Sequence, residues 1–111
     1  MTLLEEEKVE NTVKRMPSSS FTVLHFIDVF CVEYPEEWER LVERFGIYGE
    51  KGGYTVTTYL SNRLDQYSQK EGSLLKPLVR FSDDRSKDYR RTTKEERKRF
   101  GSPWIAVFNK S

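Results

Sequence analysis

Cysteine and histidine occur once each in this chain, as Cys31 and His25. A single cysteine excludes an intramolecular disulfide, and with one histidine it excludes a Cys/His zinc site within one chain. A lone thiol inside an apolar run fits a reducing compartment. Glycine is scarce, and "GEKGGY" (49–54) holds three of the six present. It lacks the G-x-x-x-x-G-K-[ST] spacing, so no phosphate-binding loop is expected there. Long hydrophobic runs are also missing. The most apolar stretch, Phe21 to Tyr34, is interrupted by Asp28 and Glu33 and is too short to span a bilayer. The first residues are acidic and carry no apolar core, so no secretory signal is expected. Together these absences point to a soluble cytoplasmic protein without a membrane partner. No nucleophile has a base beside it in sequence. Neither enzyme activity, nor a catalytic residue, nor a metal or other cofactor is therefore expected.

What the chain does contain is charge and aromatic rings. One third of its 111 residues are charged and only 36% are apolar, but aromatics reach 14%, enough ring surface for one folded core. The net charge of +1 conceals an uneven spread. Residues 1–50 hold eleven acids against five bases, while residues 51–111 hold seven acids against fourteen bases. Such asymmetry points to an acidic partner.

Periodicity divides the chain into a helix with its linker (1–19) and a domain (20–111). Residues 2–16 read as a helix, with Thr2 and Glu5 as a capping box and Val9, Val13 and Met16 as a narrow apolar stripe. Because that stripe is thin, this helix is the expected dimer element. "MPSSS" (16–20) breaks it. Phe21 to Tyr34 then reads as a buried helix capped by Ser20, with a strand as the alternative. Pro35 opens an amphipathic helix whose stripe is Trp38, Leu41, Val42 and Phe45, stopped by Gly46. The next helix begins at Thr55 or Thr57 and runs to about Gln69. Leu74 to Phe81 has strand character, Thr93 and Glu96 suit a short capped helix, and Trp104 to Phe108 reads as a final strand.

The fourth helix is odd. "TVTTYLSNRLDQYSQ" (55–69) holds one Arg and one Asp, in a chain that covers its other helices with charge. Its polar positions are Thr, Ser, Asn and Gln, which donate or accept hydrogen bonds to base edges, and Arg pairs with guanine. Thr57, Thr58, Ser61, Asn62, Arg63 and Gln66 lie away from the apolar stripe and are candidate base-reading residues. Between Arg85 and Arg99 eight bases face three acids. Of these, Arg85, Lys87, Arg90 and Arg91 are candidate phosphate contacts.

The order of elements predicts an α+β fold, mostly α, with a three-helix core, a C-terminal β-hairpin and an extra N-terminal helix. "PEEWERLVERFGIYGEKGGYTVTTYLSNRLDQYSQKEG" resembles the second helix, turn and recognition helix of winged helix-turn-helix transcription regulators. Arg63-Leu64 stands where that family often carries an Arg-Leu pair. The turn is longer and richer in glycine than the family's, and the hairpin tip is long enough to hold a helix. The resemblance implies sequence-specific binding of double-stranded DNA, with residues 55–69 in the major groove and the basic hairpin (82–99) on the backbone. It also implies a homodimer and a nucleoid-associated location. Two other readings remain open: a protein-interaction module on the same scaffold, and an RNA-binding domain.

Overall fold

Local signals set most helix boundaries in the computed structural model, which describes residues 4–47, 55–78, 89–100 and 103–111. Helix α1 spans Glu6–Arg15, with acids in its first turn and bases in its last, each placed favourably for the helix dipole. Glu5 is its N-cap and makes no side-chain capping bond, while Thr2 lies outside the described residues. Val9 and Val13 on α1 are fully buried, because the helix packs on two later helices, α2 (Val23–Glu33) and α4 (Val56–Ser68). The stripe expected to join two copies is thus consumed inside one chain.

Helix α2 is the core of the domain. Phe26 and Phe30 stack with centroids 5.6 Å apart and have no exposed surface. Its cap is Thr22, not Ser20. The Thr22 hydroxyl accepts from the His25 N–H, and His25 Nδ1 accepts from the Thr22 N–H, a reciprocal box that gives the one histidine a structural task. Ser20 is elsewhere engaged, in the two-residue strand β1 (Ser20–Phe21).

Pro35 is the first residue of α3 (Pro35–Phe45), as its fixed φ favours. Gly46 then ends α3 at φ 77°, a conformation that side chains other than glycine's resist. Thr55 caps α4 by accepting from the Thr58 N–H, 3.2 Å away. Phe45 of α3 stacks on Tyr59 of α4 at 4.7 Å.

The remaining elements are β2 (Tyr89–Arg91), α5 (Lys94–Phe100), β3 (Trp104–Ala106) and β4 (Phe108–Asn109). β2 pairs with β3 and β1 with β4, both antiparallel. The C-terminal segment is therefore the hub of the strands. It is met upstream by Arg90 opposite Ile105 and downstream by Phe21 opposite Phe108. The expected strand from Leu74 reduces, among the described residues, to a single bridge between Leu75 and Lys110. Phe81 lies outside the described residues. Helix α5 sits between the arms of the β2–β3 pair, capped by the foreseen box. Thr93 N–H donates to Glu96 Oε1 (2.9 Å) and Glu96 N–H to Thr93 Oγ1 (3.2 Å). The described residues thus form a mostly helical α+β fold with five helices and a C-terminal antiparallel strand pair. No described helix is long and apolar enough to cross a membrane.

Candidate functional site

Helix α4 is enclosed on three sides by α1, α2 and α3, which explains why so few of its residues reach solvent. Seven of its thirteen residues are buried, including Thr57, Asp65 and Ser68. The buried apolar residues Leu60, Leu64 and Tyr67 follow helical spacing and face the core.

The uncharged polar residues divide into two groups. In the last turns they hold the chain that follows. Ser68 Oγ donates to the Asp65 carbonyl (2.7 Å) and accepts from the Leu78 N–H (3.1 Å). Gln69 Nε2 donates to both the Leu78 carbonyl (2.9 Å) and Asp65 Oδ1 (3.2 Å). The Tyr67 hydroxyl accepts from the Leu74 N–H (2.9 Å) and donates to Glu10 Oε2 (2.8 Å). Burial, together with the nearby Glu10 carboxylate, pushes that hydroxyl's pKa up to about 12, the Leu74 N–H opposing.

The second group lines a cleft of about 390 Å³ between α4 and the β2–α5–β3 unit. Thr58, Ser61, Asn62 and Asp65 form one wall; Tyr89, Phe100 and Trp104 form the other, with Leu78 and Ala106 between them. The Arg91 guanidinium lies over Trp104, 5.2 Å from the ring centroid. A smaller depression, about 340 Å³, is lined by Thr57 of α4, Ile27, Trp38 and Ile47, with Lys98 and Arg99 of α5.

The ten candidate contacts accordingly separate. Ser61 and Thr58 are half-buried in the cleft wall, and Asn62 and Gln66 are exposed. The Thr58 and Thr55 hydroxyls lie 3.1 Å apart. Thr57 is 5% exposed and offers little to a ligand. Arg63 is held in place: Nη2 donates to the Leu4 carbonyl (3.0 Å) and Nη1 to Gln66 Oε1 (3.2 Å), fastening α4 to the start of the chain. Arg90 is engaged by Glu96 through two 2.7 Å bonds. This fork raises the Arg90 pKa and, with the Thr93 N–H, holds the Glu96 carboxyl down at about 2. Arg91 is exposed, while Arg85 and Lys87 lie outside the described residues. Lys94, Arg97, Lys98 and Arg99 of α5 are also exposed, and Arg99 reaches Asp28 at 3.4 Å.

Sequence reasoning missed Asp65 and the aromatic wall. Positions 58, 61, 62 and 65 repeat at i, i+3, i+4, i+7, so the polar stripe was visible in the pattern. The rings opposite it come from residues 89, 100 and 104 through tertiary folding alone. No protein-family model matches the chain, and neither does any curated protein or solved structure.

Proposed function

We propose that this chain is a DNA-binding domain of winged-helix type that reads duplex DNA with α4. The observation that carries the reading is where α4 keeps its charge. Its single acid, Asp65, is buried, and the residues it exposes, Asn62 and Gln66, are uncharged hydrogen-bonding amides. A helix approaching phosphates gains from such a surface, since exposed carboxylates would be repelled and amides pair with adenine edges. Helices α3 and α4 take the helix-turn-helix positions. The β2–β3 pair takes the place of the wing, with α5 at its tip. Thr58 and Ser61 extend the reading stripe, and Arg91, Lys94, Arg97 and Lys98 meet the backbone beside it. Arg90 acts by holding α5 in position through Glu96.

The test is binding to random-sequence duplex DNA at two salt concentrations, followed by sequencing of the retained fraction. The expected result is an enriched motif and affinity that falls steeply with salt, by about 0.9 logarithmic unit per phosphate contact for each decade of salt. Asn62→Ala with Gln66→Ala should relax the motif, whereas Lys98→Ala should lower affinity evenly across sequences and reduce the salt slope by about one. Binding without an enriched motif would leave only backbone attachment. Absence of binding at low salt would overturn the proposal in favour of protein docking.

A further inference from the structure

The last two basic residues of α5, Lys98 and Arg99, border the smaller depression, whose other walls are Ile27 of α2, Trp38 of α3, Thr57 of α4 and Ile47. Its volume, about 340 Å³, lies at the small end of the roughly 300–1,000 Å³ typical of small-molecule sites. Ile27, Trp38 and Ile47 make its walls apolar. Ile47 is one of two large apolar side chains that stay exposed among the described residues, the other being Val32. The little of Thr57 that is exposed lines the same depression, and its hydroxyl has no hydrogen-bond partner among the described residues. Four helices thus converge on a small apolar hollow that holds a spare hydroxyl and carries cations at one edge.

The charge at that edge selects the ligand. No acid lines the depression. Arg99 reaches Asp28, outside the lining, at 3.4 Å, which offsets part of the guanidinium's charge. Lys98 is exposed and has no ion-pair partner among the described residues. Two cations less one carboxylate leave a single unmatched positive charge beside an apolar wall. An inorganic anion would leave that wall wet, and a hydrocarbon would leave Lys98 without a partner. A singly charged acid with a compact apolar body meets both demands. We infer that this depression binds a small amphipathic monocarboxylic acid, its apolar body against Ile27, Trp38 and Ile47 and its carboxylate toward Lys98 and Arg99. Thr57 supplies a further donor for an oxygen of the ligand. Lys98 is shared with the backbone contact proposed above, so the acid and a DNA phosphate compete for it. The acid site itself needs no duplex and is tested without one, so either reading can fail alone.

The test uses the full chain carrying Trp104→Phe, so that Trp38 is the only tryptophan reporting fluorescence. The probes are 4-phenylbutyrate, its neutral amide and acetate, titrated separately, with a short peptide of alternating Glu and Leu. Phenylbutyrate should change the Trp38 emission saturably. It should bind at least about tenfold more tightly than the amide, which lacks the charge, or acetate, which lacks the apolar body. Lys98→Gln, at an exposed position, should remove the preference for the acid over its amide. Lys14→Gln, the same charge change on exposed α1, should leave the affinity within about twofold. Thr57→Val should weaken binding of the acid; if circular dichroism shows that variant unfolded, the Lys98 and Lys14 comparison still decides the matter. Equal affinity for acid and amide, equal losses in the two lysine variants, or no saturable change up to millimolar concentration would overturn the inference. So would binding of the acidic peptide more tightly than phenylbutyrate by about tenfold or more, which would make the occupant a protein segment.

Discussion

Helices α3 and α4 have similar lengths and share a contact with α2, yet they solve opposite problems. Helix α3 buries only Leu41 fully and presents Glu36, Glu39, Arg40, Glu43 and Arg44 to solvent. Helix α4 buries seven residues and exposes no carboxylate. A helix with one face against the core uses charge to stay hydrated. A helix enclosed by three others must instead place hydrogen-bonding groups that tolerate burial, because an unpaired buried charge is far more costly than a paired hydroxyl or amide. The uncharged sequence of α4 therefore has two causes. Ser68, Gln69 and Tyr67 tie down residues 74–78. Thr58, Ser61, Asn62 and Gln66 make up the half that faces the cleft and solvent.

The contrast breaks most severely at the core. Leu64→Ala should cost about 2–5 kcal/mol in chemical denaturation, while Val42→Ala on the half-buried side of α3 should cost distinctly less. If the two were equal, α4 would not be the more deeply buried of the pair. Next come the polar ties. Ser68→Ala leaves the Leu78 N–H buried without its acceptor and should cost about 1–3 kcal/mol. Glu39→Gln, on the exposed face of α3, should change stability by no more than about 0.5 kcal/mol.

Two titrations sharpen the picture with smaller effects. The Tyr67 pKa is raised in the folded state to about 12 from 10.0. Its contribution is complete below pH 10 and is lost as pH rises through about 12. Stability should therefore fall across that interval in the wild type, and the part of the fall due to this hydroxyl should vanish in Tyr67→Phe. Glu96 behaves in the opposite sense, with a folded pKa of about 2 against 4.5. Its contribution is complete above pH 4.5 and is lost as pH falls through about 2. Amide exchange in α5 should quicken first in that range, and Arg90→Ala should move the transition toward the ordinary carboxylate value.

The parts of this fold legible in sequence are those fixed by neighbours along the chain. Pro35 and Gly46 bracket α3, Thr55 caps α4, and the Thr93–Glu96 box starts α5, each within a few residues of its effect. The cap of α2 was misplaced because Ser20 pairs with Asn109, far along the chain, and leaves the task to Thr22. The dimer stripe on α1 looked underused because the partners that bury Val9 and Val13 lie on other helices. The site divides in the same way. Its polar wall follows a helical repeat in α4, whereas the aromatic wall opposite and the engagement of Arg63 by Leu4 depend on tertiary contacts that no local pattern carries.

The most direct test of the central claim places the same charge change on both helices. Asn62→Glu with Gln66→Glu lowers the charge on the exposed face of α4 by two; Arg40→Gln with Arg44→Gln lowers that of α3 by two. Affinity for the duplex enriched by selection is then measured at fixed salt. The expected result is a loss of at least about tenfold for the α4 variant, from phosphate repulsion and lost base contacts, and a change of no more than about threefold for the α3 variant. Equal losses, or a loss confined to α3, would contradict it.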